Sequence, residues 1–142
     1  MSINTRAVPV SIALQADNPA ANHAFVPLEF NWNLNPQEVQ GFEVIGYFAD
    51  PNAALAADSG NTVVPSAHVL GRWQSGSFRP FSETHESGPA GGSLSLFSES
   101  VLHGHSRGSR SGVLEMRIDP QLASALNRGE YRGVLYVEVR HY

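Results

Sequence analysis

The chain has 142 residues and a net charge of −4, with no cysteine and with arginine as its sole permanently cationic side chain. Composition therefore excludes disulfides, thiolate metal sites and a Schiff-base lysine. No stretch approaches the about 20 apolar residues of a membrane-spanning helix, and nucleic acid would find no basic face beyond Arg107 and Arg110 in a Ser/Gly-rich segment.

Apolar residues recur with period two almost throughout, the pattern of half-buried strands. Val8, Val10, Ile12 and Leu14 alternate with Pro9, Ser11 and Ala13, which reads as a first strand with Pro9 near an edge. Val26, Leu28, Phe30, Trp32 and Leu34 form the cleanest alternating face in the chain. Gly41 to Phe48 follows, with Phe42, Val44, Gly46 and Phe48 on one side and Glu43, Ile45 and Tyr47 on the other. The Ala-rich stretch Asn52 to Ala57 is expected to form a single helical turn within a loop. Val63-Val64, His68 to Trp73 and Phe78 to Phe81 are short strand candidates, the last interrupted by Pro80. Gly88-Pro89-Ala90-Gly91-Gly92 breaks the chain before alternation resumes over Ser93 to Ser98. His103 to Gly112 reads as a polar loop, Val113 to Asp119 as a strand, and Pro120 to Leu126 as a helical turn. Tyr131 to His141 closes the chain, with Leu135, Val137 and Val139 sharing a face.

About seven or eight short strands separated by Gly, Pro and Asn turns specify an all-β fold. The expectation is an antiparallel, immunoglobulin-like β-sandwich, a single domain over residues 1–142 with no internal repeat. Residues 1–14 serve either as its first strand or as a strand given to a neighbour, since period two does not say whose sheet a strand joins.

Candidate chemistry is sparse. His103-Gly104-His105 would put two imidazoles on one face of a strand, a weak metal site unless Glu99 or His85 joins it. Asp50, Asn52 and Asp58 are too few oxygens for calcium. No Gly-x-Ser-x-Gly elbow is present and no carboxylate pair stands out, so the chain is read as non-enzymatic and without cofactor. Trp32, Phe78 and Phe81 are aromatic like Trp73, but Trp32 falls on an apolar face and reads as core. Trp73, beside Arg72 and Gln74, is the candidate stacking platform for a glycan.

The segment Leu126 to Tyr142 is the most specific part of the sequence. Leu126, Gly129 and Tyr131 resemble the Leu-x-x-Gly-x-Tyr lead-in of a late strand in immunoglobulin-like sandwiches, where the tyrosine hydroxyl bonds back to the preceding loop. Gly129, Tyr131, Leu135, Val137, Val139 and Tyr142 are also similar, in type and order, to the C-terminal strand of secreted pilus and spore-coat subunits assembled by chaperone and usher. That resemblance implies a structural or adhesive protein, secreted or at the cell surface, with a leader outside this numbering and copies of itself as partners. It further implies strand addition, with Val8, Val10, Ile12 and Leu14 as donor residues meeting Leu135, Val137 and Val139.

Overall fold

A computed structural model describes residues 3–15, 22–58, 61–86, 88–101 and 106–142. Its strands are β1 (Ile3–Leu14), β2 (His23–Asn33), β3 (Gly41–Phe48), β4 (Leu55–Ala57), β5 (Val63–Val64), β6 (Val69–Trp73), β7 (Arg79–Pro80), β8 (Ser93–Ser100), β9 (Arg107–Ile118) and β10 (Gly129–His141). A short helix, α1 (Pro120–Ala123), precedes β10, and a 3-10 turn (Ser66–His68) precedes β6; Asp119 caps α1 by accepting from the Gln121 N–H, and Pro120 opens it.

The strands build two antiparallel sheets facing one another, the sandwich that the alternation implies. In the larger sheet β10 is the spine: β1 pairs along one side, while β3 and β4 share the other. Beyond β3 lies β8, and beyond β4 lies β5. The smaller sheet has the order β2-β9-β6-β7. Successive pairs β1·β10, β2·β9, β3·β8 and β6·β7 are nested inside one another, with β4 and β5 an excursion between β3 and β6. Within the sandwich class this nesting is the double Greek key of a jelly roll.

The ladder pattern fixes which backbone groups face outward. Leu34 donates its N–H to Ser106 O, continuing the β2–β9 register, so even-numbered residues of β2 bond to β9. Pro27, Glu29, Asn31 and Asn33 therefore turn their backbone to the open edge. Gly41 and Tyr142 likewise exchange bonds at the end of the β3–β10 ladder, which leaves the odd-numbered residues of β10 to bond to the even-numbered ones of β1. Pro9 then points its ring nitrogen at free space, as Pro27 does. Both prolines occupy edge positions where a missing N–H breaks no ladder bond.

The core joins the inward faces of both sheets. A register shift between Val44 and Ile45 skips Leu96 in β8, so Leu94 and Phe97 both turn inward and both are buried. Phe97 stacks on Trp73 at 5.1 Å and meets Phe30 edge-on at 5.4 Å. The two indoles lie over glycines of β9. A Cβ at Gly112 would come within 2.5 Å of the Trp73 ring, and one at Gly108 within 2.6 Å of Trp32.

Two expectations are corrected here. Residues 107–112 are strand, not loop, because Gly108 and Gly112 serve as seats for indoles rather than as turn residues. The Ala-rich stretch forms β4 instead of a helical turn, since Leu55 is fully buried and Ala56 and Ala57 find ladder partners in Arg132 and Tyr131.

With Trp73 only 9% exposed, Trp73→Ala is expected to cost about 3–5 kcal/mol. Urea denaturation checks this, and a loss below 1 kcal/mol (a negligible fraction of such a cavity) would contradict the packing described.

Candidate functional site

β1 pairs with β10, which alternation alone leaves open. Val8 pairs with Leu135, Val10 with Gly133 and Ile12 with Tyr131. Val10, Ile12, Leu14, Leu135 and Val137 are buried, while Val8 and Val139 are half-buried. β1 thus lies in the domain's own sheet. Its far end is clipped to the start of β2: Asn22 accepts from the Gln15 N–H at 2.7 Å and donates to the Gln15 carbonyl at 3.1 Å.

Tyr131, 1% exposed, donates its hydroxyl to the Asn127 carbonyl at 2.8 Å. That back-bond to the loop four residues upstream is the geometry of a tyrosine corner. Leu126 packs against the core beside it, and Gly129 holds φ +137, a value open to glycine.

Along the β1/β2 margin the sheets part. Inward positions of β1 run Leu14, Ile12, Val10, Val8 and then Arg6, which is exposed. Opposite them β2 runs from buried Val26 and Leu28 to half-buried Phe30 and Trp32. Where Arg6 stands in an apolar register the interior opens as a cleft of about 350 Å³. Phe30, Trp32, Phe42, Val137 and Val139 give it apolar walls, with Arg6 and His141 at its rim. The Trp32 and Phe42 rings lie 5.0 Å apart there.

Trp73 offers no platform. It is buried between Phe97 and Phe30, so the expected glycan-stacking face is not at the surface. His103 and His105 lie outside the described residues. Among the described residues no group of three His, Asp or Glu could hold a metal. Asp50 accepts the Asn52 N–H and Asp58 pairs with Arg132, so these side chains are engaged locally.

Two polar clusters on the outer faces were not legible from sequence. On the smaller sheet, Glu115 accepts from Arg72 Nε at 2.7 Å and pairs with His23 Nδ1. Phe78 covers the group, clamped by the guanidiniums of Arg72 and Arg117 at 4.6 and 4.1 Å. Burial alone would raise the Glu115 carboxyl, but the hydrogen bonds from His23 and Arg72 outweigh it and hold the group below the ordinary carboxylate range. On the larger sheet, the segment before β8 crosses the outer face. Glu83 there receives Arg79, His85 and the Ser95 N–H, and it too is held low against the opposing effect of burial. Glu115 is held by Arg72 and His23 and Glu83 by Arg79, His85 and a backbone N–H, an arrangement that braces strands. The only sequence signal was the outward parity of Glu115, Arg72 and Arg117, which does not reveal that they meet.

Tyr131→Phe is expected to lower stability by about 1 kcal/mol with an unchanged denaturant slope, measured by urea unfolding. A neutral result would remove the corner from the fold's support. Glu115 contributes its stabilisation fully above its unfolded pKa of about 4.3 and loses it as pH falls through the depressed folded value. Glu115→Gln is expected to cost about 1–2 kcal/mol at neutral pH and to flatten the acid limb of unfolding free energy against pH. An acid limb identical to that of the parent chain would show that other carboxyls govern it.

No protein-family model matches the chain, and no curated protein is detectably similar to it.

Proposed function

We propose that the chain is a non-enzymatic structural or adhesive subunit, exported to the cell surface and joined to neighbouring copies by strand addition in the manner of a pilus or coat. The observation that carries this reading is the status of β1. It is the first strand, 12 residues long, whose sole ladder partner among the described residues is β10, yet its Val10, Ile12 and Leu14 fill the core. A neighbour's β1 would make the same ladder and bury the same side chains. The two states differ in the connection from β1 to β2, and among the described residues the Gln15–Asn22 clip is an interaction there that exchange would break. Exposed hydrogen bonds of this kind are worth about 0.5–1.5 kcal/mol each, so exchange costs little against an unchanged core.

Glycan binding is the second reading, and the cleft favours it. With Trp73 buried, the aromatic wall that lines a cleft beside polar side chains is that of Trp32 in the seam, rimmed by Arg6 and His141.

Ser11 and Arg132 are ladder partners, both exposed, in a chain without cysteine. The Cα separation of such directly opposed residues admits a disulfide. After refolding at high protein concentration and oxidation, the double variant Ser11→Cys/Arg132→Cys is expected to run as a ladder of covalent multimers on a non-reducing gel. Intramolecular cross-linking alone, at every concentration, would overturn strand addition.

A further inference from the structure

The free edge of β2 is self-complementary, and we infer that it is an interface between two copies of this chain, related by a two-fold axis at Asn31. The inference shares with the proposed function the expectation that copies meet, but it uses a different edge and leaves β1 in its own domain.

Three observations carry it. Among the described residues β2 has β9 as its sole ladder partner along its 11 residues. The ladder parity turns the backbone groups of Glu29, Asn31 and Asn33 to the open side, and these residues are exposed. Pro27 occupies the next outward position, lacks an N–H, and so limits an added strand to the stretch that follows it. The cleft opens beside that same stretch, bounded by Glu29 to Leu34.

An extended strand is the chemistry that answers such an edge, and β2 itself fits as that strand. Antiparallel pairing about Asn31 sets Asn31 against its own counterpart and Glu29 against the partner subunit's Asn33. Each of these is an outward-facing pair, so each exchanges two backbone bonds. On the inward side Phe30 meets the partner subunit's Trp32, an aromatic cross-strand pair placed over the mouth of the cleft. Moving the axis to Glu29 would oppose two glutamates, and moving it to Phe30 would bring Pro27 into the ladder against Asn33. Moving it to Trp32 would set Glu29 against Asn35, beyond the end of β2; centring at Asn31 avoids all three and pairs every residue from Glu29 to Asn33. The result is a continuous sheet running through both smaller sheets, closed by symmetry so that it makes dimers rather than fibres.

The test uses the full chain and a single cysteine. Sedimentation analysis from micromolar to millimolar protein is expected to show a monomer–dimer equilibrium. Under mild oxidation Asn31→Cys is expected to yield one covalent dimer and no higher species, faster than the control Ser98→Cys on edge strand β8. Asn31→Pro, which removes the central N–H from the edge, is expected to weaken dimerisation about tenfold or more while the thermal unfolding transition stays cooperative. A chain monomeric throughout, or Asn31→Cys cross-linking no faster than Ser98→Cys, overturns the inference and leaves the edge to a foreign peptide or a saccharide. Strand exchange is read separately: a Ser11/Arg132 multimer ladder without Asn31 dimers sinks this interface and keeps that reading, and the reverse pattern does the opposite.

Discussion

The architecture hangs on β10. Its Gly129–His141 run takes β1 along nearly its whole length on one edge and β3 with β4 on the other, so three strands are registered against it. Remove its alternation and the larger sheet loses its centre, while the inward Leu135 and Val137 leave the core without a floor. The start of so long a strand has to be pinned, because any slip in register would turn Leu135 and Val137 outward and Glu138 inward. Tyr131 does the pinning. Its ring is buried, its hydroxyl holds the loop behind it, and Gly133 two residues on lies so close to Ala54 that a Cβ would sit 2.1 Å from the Ala54 carbonyl oxygen. Register is thus fixed from both ends of one short stretch.

From this fixed register the open seam follows. Because β1 is held residue by residue against β10, its inward positions are set, and at Arg6 the inward residue is one that prefers water. The facing strand still offers Phe30 and Trp32 at that level, so β1 adds no apolar side chain there and a gap opens between them and Phe42, Val137 and Val139. The cleft is therefore written into the parity of β1 and β2 and does not depend on a loop. Its walls are strands, which are better fixed than loops for presenting a surface to a partner.

Much of this was legible in the sequence, for a reason that also marks the limit. The face Val26 to Trp32 was readable because period two reports the burial of one face directly, and residues 41–48 were readable as a strand although Ile45, on its outer face, is buried too. Tyr131, Leu126 and Gly129 were readable because a corner is local. Pairing was not, since alternation says that a strand has an inner face and nothing about its neighbour, so neither the nesting of β1 with β10 nor the polar group of His23, Arg72 and Glu115 could be assembled from spacing. Residues 107–112 misled because glycine in a polar context signals a loop, when here the glycines accept indoles from the next strands. Trp73 misled for the same reason in mirror image: its polar neighbours Arg72 and Gln74 suggest a surface, yet the residue between them is the inward one.

The edges carry the last step of the argument. A sandwich of this kind has free strand backbone at its margins, and natural sheets usually blunt it. Here the blunting is selective. Pro9 and Pro27 each remove one outward N–H at the middle of β1 and of β2, where the two strands lie against one another and the core beneath is well filled by Val10, Ile12, Val26 and Leu28. Beyond the prolines, toward Arg6 and Asn33, the edge of β2 keeps its donors and the core beneath thins into the cleft. Protection is placed where the interior is complete and withheld where it is incomplete. A chain under pressure only to stay monomeric would have guarded the second region first, because outward backbone donors beside half-buried Phe30 and Trp32 are the more adhesive combination.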